Sequence, residues 1–484
     1  MNTNTSTPKK PFYKNGKFWI YFLVAAFLAT RVYLDFYSNY FLVIDVSPKF
    51  GEINGENGIG TSIICQIDSI KGRVETYKVR RMAIGRGKEN DKEDFGNDLQ
   101  DFNPYSNTKI FNLVSVFNVL QMLPFGEMKY IKCSFGIEND FYTNQIEINK
   151  RLDEGGYKKI RYKIKEKSIQ SLILNTSRSV IKTVYPNSYL IYCVENNLND
   201  EAIKIGKVLS MKYVEKNGSD KKYLFFVNLL YSNAISDEAY KASLATSNPD
   251  NYLADDVQFE MAQKAMSNAE RILNDNFRND SIAKANFYFY NGYFLLKKQN
   301  YREAYENFEK TISAIQKDSS NEIIPFRVLT LNNLAVASYN DYLANCNKSS
   351  LDDASKITND ALIVVEGFMK KEDIVDERVI KSTYRVYEYV LETKAEILFL
   401  EFNQNKNDRQ KLIEMRNKLI KAAQFGTPIS YEICKEYPIY QEIVKEYNNL
   451  CDDSTIAKEM QLRETEVDSI KKIQDSRKLF KCNR

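Results

Sequence analysis

Residues Ala285–Ile315 read ANFYFYNGYFLLKKQNYREAYENFEKTISAI. Apolar residues recur there at spacings of three and four on either side of a short polar turn, Lys298-Gln299-Asn300. That period predicts one amphipathic helix before the turn and another after it. Gly292 falls on the first helix and Ala304 on the second. Small residues at those two places let the helices lie close together, with Leu295, Tyr301 and Phe308 filling the space between them. Such a hairpin cannot bury its apolar face alone, so the sequence should contain neighbours that stack on it.

The pattern recurs with drift. Ala202 follows a helical run, Ala239 lies in Tyr223–Asp250 before Asn248-Pro249-Asp250, and Tyr252–Leu273 fills the interval to Ala285. Downstream, LNNLAVASY places Ala335 at the first small position and SLDDASKITNDAL places Ala354 at the second, across a turn longer than the usual one. Lys394–Leu398 begins a further helix that pairs with Lys411–Gln424, again across a long turn. The order of small residue, aromatic, turn, aromatic, Ala, aromatic resembles the tetratricopeptide (TPR) repeat of about 34 residues. The resemblance runs over residues 168–450, and its sharpest part is the quoted stretch. It implies an α-solenoid whose concave face binds other chains. The first helix of each unit would line that face with Phe289, Tyr293 and Leu296, then Asn332, Asn333, Val336 and Tyr339. Gly292, Ala304, Ala335 and Ala354 would sit at the packing seams. Of the charged clamp that some members use for C-terminal carboxylates, Asn333 alone matches. An aromatic-lined groove instead suits an apolar helix or an extended peptide.

The front of the chain differs. Residues 1–17 carry four lysines and no acid, and Phe18–Tyr37 reads FWIYFLVAAFLATRVYLDFY. Twenty helical residues span about 30 Å, the thickness of a bilayer core. Trp19 and Tyr21 at one end, with Tyr33, Tyr37 and Tyr40 at the other, suit the two interfaces. Arg31 and Asp35 are four apart and near the end of the span, where they can pair and snorkel. A cleaved signal peptide fits less well for want of a small-x-small cleavage site. The expectation is a single transmembrane helix, in a bacterial inner membrane, with the basic tail in the cytoplasm and the rest outside it.

Residues 40–167 are expected to form a small β-rich domain. Ser62–Ile67 and Val74–Ile84 alternate apolar and polar around Lys71-Gly72, which predicts a hairpin. Lys129–Phe135, Gln145–Ile148 and Lys159–Ile164 are further strand candidates. Ile110–Leu123 suits a strand pair or one helix. Lys158–Lys167, KKIRYKIKEK, alternates like an exposed strand. The string GENGIG at Gly55–Gly60 is read as a hairpin loop, because a β-type run and not a helix is expected after it. The acids of Glu89–Asp101 do not follow EF-hand spacing. Residues 451–484 are expected to include a charged helix that caps the last repeat.

Composition narrows the function. Lys and Arg number 68 against 64 acids, mixed along the helices, and no basic stripe with interleaved aromatics suggests nucleic acid. The chain has no histidine, which removes the commonest general base, the histidine-dependent triads and imidazole metal sites. Its seven cysteines form no CxxC pair, so a zinc ribbon is not indicated. No catalytic residue, cofactor or metal is therefore expected. The leading expectation is a mainly α, membrane-anchored scaffold that binds protein or peptide partners in a cell-envelope or secretion assembly, with oligomerisation possible. A ligand-binding sensor and a structural subunit of a large homomeric membrane apparatus are the alternatives.

Overall fold

A computed structural model describes residues 41–46, 56–82, 130–151, 157–215, 221–245, 252–371, 376–405 and 408–423. The expected tail and membrane span, Glu89–Asp101, Ile110–Leu123 and the C-terminal charged helix lie outside the described residues. Among those described, no helix is long and apolar enough to cross a membrane. The fold is mainly α, with a small sheet ahead of the helical stack. It divides into two compact units, one up to Tyr185 without residues 70–95, the other made of residues 70–95 and the chain from Pro186 onward.

In the first unit, strands β1 (Phe41–Val46), β2 (Tyr130–Glu138), β3 (Phe141–Arg151) and β4 (Tyr157–Glu166) form one sheet in that order. β1 pairs with β2 in parallel, and the other two pairings are antiparallel. The β2–β3 turn passes through Asn139 and Asp140, both with positive φ (47° and 66°), a conformation these two residue types tolerate and a tight hairpin needs. Alternation then sends Ile131, Cys133, Phe135, Ile146 and Ile148 inward. Cys133 faces Ile146 across β2–β3, and Ile146 faces Tyr162 across β3–β4. The opposite face of β4 carries Lys159, Arg161, Lys163 and Lys165, all exposed. Arg161 pairs with Glu147, and Lys163 and Lys165 with Glu138. Lysines on an edge strand discourage pairing with another sheet.

Helix α2 (Ile169–Val184) covers the inner face of β3 and β4. Ser168 caps it by accepting from the Ser171 amide at 3.1 Å. Leu172, Thr176, Val180 and Val184 recur every fourth residue and are buried. Asn144 Nδ2 donates to Thr176 Oγ1 at 3.0 Å, a polar link between sheet and helix within this layer.

One expectation fails here. Ser62–Ile67 and the described part of Val74–Ile84, residues 74–82, do not form a hairpin; Glu56–Arg81 is a single helix, α1. Ile59, Ile63, Ile67, Ile70, Val74 and Tyr77 are all buried, and they recur at four, four, three, four and three. That is the α-helical period, and it outlasts the two short windows of alternation. Gly72 makes no turn. It is exposed inside the helix, where it costs about 1 kcal/mol relative to alanine. Of the string Gly55–Gly60, residues 56–60 consequently form the first turn of a helix instead of a hairpin loop, and Gly55 lies outside the described residues.

In the second unit, ten helices among the described residues form five successive hairpins. These are α3/α4 (Pro186–Glu195, Asn199–Glu215), α5/α6 (Lys221–Ala245, Tyr252–Asn276), α7/α8 (Ser281–Lys297, Tyr301–Ile315), α9/α10 (Ile324–Asn345, Lys348–Met369) and α11/α12 (Glu377–Gln404, Arg409–Ala423). Each first helix after α3 packs on both helices of the preceding hairpin. That is how a helical repeat buries faces that one hairpin leaves open.

Several hairpins differ from expectation for one reason: the helices are longer. The Tyr223–Asp250 stretch was expected to hold a hairpin, yet Lys221–Ala245 is one helix and its partner is Tyr252–Asn276. Ala239 is thus on a first helix. The long turn expected after Ala335 is absent; α9 runs to Asn345, and Cys346-Asn347 suffices to reverse the chain. Cys346 takes the left-handed conformation (φ 55°), and Asn347 caps α10 through the Ser349 amide. Likewise α11 starts at Glu377, well before Lys394, with Asp376 accepting from the Arg378 amide at 2.9 Å.

The α7/α8 seam shows the steric logic. A Cβ at Gly292 would lie 2.9 Å from the Phe308 ring, so only glycine allows this approach. Ala304 is fully buried, and Asn291 Nδ2 donates to Asn307 Oδ1 at 3.0 Å. In α9/α10, Ala335 and Ala354 are buried, and Ser338 Oγ donates to the Ser350 carbonyl at 2.7 Å. An equivalent close approach, not singled out from the sequence, occurs where Gly206 of α4 meets Tyr231 of α5, 2.8 Å from a built Cβ.

Three cysteines report on this packing. Cys65 is exposed, whereas Cys133 and Cys193 are buried, and burial pushes the Cys133 thiol up to about 12. Thiolate is the reactive form. Iodoacetamide at pH 8 should therefore modify Cys65 in the native protein, with Cys133 and Cys193 modified at least tenfold more slowly, as mapped by peptide mass analysis. Equal rates at Cys133 and Cys65 would contradict the sheet register.

Candidate helix-binding face

The second unit opens with residues 70–82, the C-terminal part of α1, and these lie against the first helices of the hairpins. Ile70, Val74, Tyr77 and Met82 are buried there. Their spacing, with Arg81 following Tyr77 by one turn, is that of a helix presenting one stripe to a receiving surface. Three of the first helices supply the contacts. From α3, Glu195 accepts from Arg80 at 2.5 Å, and Asn196, just past its end, takes a hydrogen bond from Arg73. From α7, the Tyr290 hydroxyl meets that of Tyr77 at 3.0 Å, and Asn286 Nδ2 donates to the Met82 carbonyl at 2.6 Å. That last bond serves a carbonyl which the end of a helix leaves without an intrahelical partner. From α11, Arg378 reaches Glu75 at 3.2 Å while Asp376 holds its guanidinium from behind at 2.8 Å.

Arg81 stands among tyrosines. Its guanidinium lies 5.3 Å from the ring centre of Tyr293 and 5.8 Å from that of Tyr77, within cation–π range. Burial works against its charge, yet Tyr77, Tyr293, Tyr389 and Tyr290 hold its pKa above the ordinary arginine value. Lys297 lies over the Tyr293 ring as well, at 5.0 Å. Lys297 also lies over Tyr240 at 4.7 Å and pairs with Asp237 at 3.1 Å. Burial opposes this charge too, and Tyr293, Asp237 and Tyr240 together hold its pKa above the usual value. The face is thus a set of phenol rings from successive first helices with cations between them.

Arg80 is only 2% exposed at its side chain and Glu195 is 18% exposed. A buried pair of this kind adds little net stability over an apolar substitute, but it penalises any helix that places a different group there.

The residues expected to line the face divide. Tyr293 does so. Phe289 does not: it is fully buried, with its ring centre 5.9 Å from Phe308, 5.1 Å from Phe326 and 5.6 Å from Tyr290. It belongs to the packing between α7, α8 and α9, because the helix turns it 100° per residue away from Tyr290 and toward the seam. Asn332 and Asn333 are buried, and Leu296 and Val336 are half-buried. Tyr339 packs against the cluster of Tyr342, Leu351, Ala354, Ile397 and Leu400. Burial, and then the negative charge of Glu396 and a hydrogen bond to it, raise the Tyr339 pKa. The contacts made by Glu195, Asn286, Tyr290 and Arg378 were not foreseen. The signal that could have found them is the helical isoleucine period of residues 59–77 followed by Tyr77-Lys78-Val79-Arg80-Arg81. Among the described residues no group of three or more His, Cys, Asp or Glu could hold a metal ion.

Alkali should loosen this contact. Burial pushes the Tyr77 phenol up to about 12, against the opposing pulls of Arg81 and of its hydrogen bond to Tyr290. Because the folded value lies above the ordinary value near 10, folding favours the neutral phenol. Its contribution is intact below pH about 10 and lost as pH rises through about 12. The loss is on the order of 2–3 kcal/mol. Tyr77→Phe cannot ionise, so between those pH values its urea midpoint should fall less than that of the wild type. Parallel falls would show that Tyr77 is not buried in the neutral form.

Comparison with protein-family models, with curated proteins and with solved structures found no match to this chain.

Proposed function

We propose that this protein is a membrane-anchored scaffold that recruits or organises protein partners, and that it carries no catalysis of its own. The observation that carries this reading is the stack of five hairpins, in which each first helix after the opening one is packed on the hairpin before it. Repeat stacks of that kind build long surfaces from side chains of many units, suited to proteins and peptides. The TPR resemblance of Ala285–Ile315 and the close approach at Gly292 support it. The apolar span at Phe18–Tyr37, after a basic tail, supports anchoring in an inner membrane with the stack outside the cytoplasm.

Two experiments test this. External protease added to intact spheroplasts should degrade the hairpin stack; its survival would reverse the proposed orientation. Chemical cross-linking in membranes, followed by solubilisation and purification, should recover defined partner proteins with the full chain and lose them with a chain ending before Pro186. Recovery of ring-sized homomers without partners would favour a structural subunit instead.

A further inference from the structure

The outer face of α4 differs from those of later second helices in the stack. Ala202, Ile205, Leu209 and Tyr213 turn inward and are buried, and Gly206 lies against Tyr231 of α5. On the opposite side Val208, Met211 and Val214 are 65%, 58% and 65% exposed. Among the described side chains, no other helix carries more than two exposed large apolar residues. Lys204, Lys207 and Lys212 are exposed beside them. At 100° per residue these six side chains share an arc of about 160°. From Ala202 to Val214 the helix holds these three lysines and no acid. Asp200 and Glu201 stand in its first turn, where they suit the helix dipole. The outer faces of α8 and α10 are made otherwise. α8 exposes Arg302 and Lys310 among Glu303, Glu306 and Glu309, and α10 exposes Asp352, Asp353 and Asp360 around Lys356. Mixed charge of that kind is an ordinary solvated face.

The chemistry of the α4 face selects what covers it. Exposed aliphatic side chains gain by leaving water, and cations without interspersed acid call for an anionic surface. A protein partner is the poorer match, because the face exposes no Tyr, Trp or Arg to anchor in a pocket. A lipid surface needs no such anchor. Lysine stems lie along apolar surface while their ammonium groups reach the phosphates, and Val208, Met211 and Val214 enter the boundary between headgroups and acyl chains. Residues 204–214 run about 15 Å, enough to lie along a bilayer and too short to cross it.

We propose that the outer face of α4, built of Lys204, Lys207, Val208, Met211, Lys212 and Val214, docks on the surface of an anionic phospholipid bilayer. The proposal rests on the membrane-anchored reading, which places a bilayer within reach of the stack. A tether keeps that surface at high local concentration, so a contact too weak to hold a free protein suffices to fix how the stack lies. Attraction between the lysines and the headgroups is screened by salt.

The test uses the full chain reconstituted in vesicles and read by tryptophan fluorescence. Trp19 is the only tryptophan, so Trp19→Phe gives a dark background. Met211→Trp is added to it in one chain, and Ile363→Trp, at an exposed position of α10, in another. The vesicles hold phosphatidylcholine alone or with an equal part of phosphatidylglycerol, each with and without brominated acyl chains, which quench a ring that reaches the hydrocarbon. Brominated anionic vesicles should quench the Met211→Trp chain at least about twofold and leave the Ile363→Trp chain unquenched. Quenching should be lost in phosphatidylcholine alone, and lost when Lys204→Glu and Lys207→Glu are added, with the circular dichroism unchanged. The inference is overturned if the Met211→Trp chain is not quenched in anionic vesicles, if the lysine changes or the neutral lipid leave its quenching as it was, or if the Ile363→Trp chain is quenched equally. A blue shift of the Met211→Trp emission that grows with protein concentration in lipid-free detergent would seat a second copy on this face and overturn it too. Release of the chain from vesicles by alkaline carbonate would remove the anchor; quenching at neutral pH is read separately, so the two failures are distinguishable.

Discussion

Phe289→Ala is expected to destabilise the helical stack by about 3–5 kcal/mol, read as a fall in the urea midpoint at unchanged slope. The ring is fully buried and touches aromatic rings from two neighbouring helices, Phe308 of α8 and Phe326 of α9. Truncation leaves a cavity that three helices border, and Gly292 on the same helix offers no bulk to fill it. Ile363 provides the contrast, since it is 70% exposed; Ile363→Ala should change stability by less than about 0.5 kcal/mol. If the two substitutions cost the same, Phe289 is not at the seam between hairpins. The same buried position means that a loss of partner binding in Phe289→Ala would report unfolding and not recognition.

Glu195→Ala should have an effect of similar size confined to residues 70–82. It leaves the guanidinium of Arg80 enclosed without its carboxylate, a change that costs about 3–5 kcal/mol in comparable pairs. Hydrogen exchange should then rise in residues 70–82 while α7–α10 stay protected. Arg80→Met combined with Glu195→Ala removes the stranded charge and keeps most of the side-chain volume. The double variant is expected to recover most of the loss, giving a coupling energy of at least about 1 kcal/mol. Strict additivity of the two single changes would mean that Arg80 and Glu195 do not depend on one another.

Part of this was legible from residues alone. The two helices around Lys298-Gln299-Asn300 follow from spacing, and a glycine opposite Phe308 follows from the need for close approach. Strands at Lys129–Phe135, Gln145–Ile148 and Lys159–Ile164 follow from alternation; the first overlaps β2 from Tyr130 onward, and the other two fall within β3 and β4. Hairpin boundaries were less legible. A 25-residue helix such as Lys221–Ala245 carries no internal stop signal, and the sequence does not say whether a polar cluster within it breaks the helix or faces solvent. Burial of Asn228, Ser232, Asn233 and Ser236 shows a third outcome, polar residues enclosed between helices. Ser232 Oγ, for instance, donates to the Ala262 carbonyl of α6 at 2.8 Å.

What the sequence determined by itself is local: the periodicity that makes helices and strands, the small residues where helices touch, and the absence of histidine from any chemistry. Only the tertiary structure decided that residues 56–81 are helix and not hairpin, that Phe289 points into a seam while Tyr293 points to a face, and that this face holds Tyr77, Arg80 and Arg81. The physical reason is range. Backbone preference and periodicity act over a few residues, whereas the partner of Arg80 lies 115 positions away and that of Tyr77 lies 213 away. Which side of a helix meets which neighbour is settled by packing across those distances.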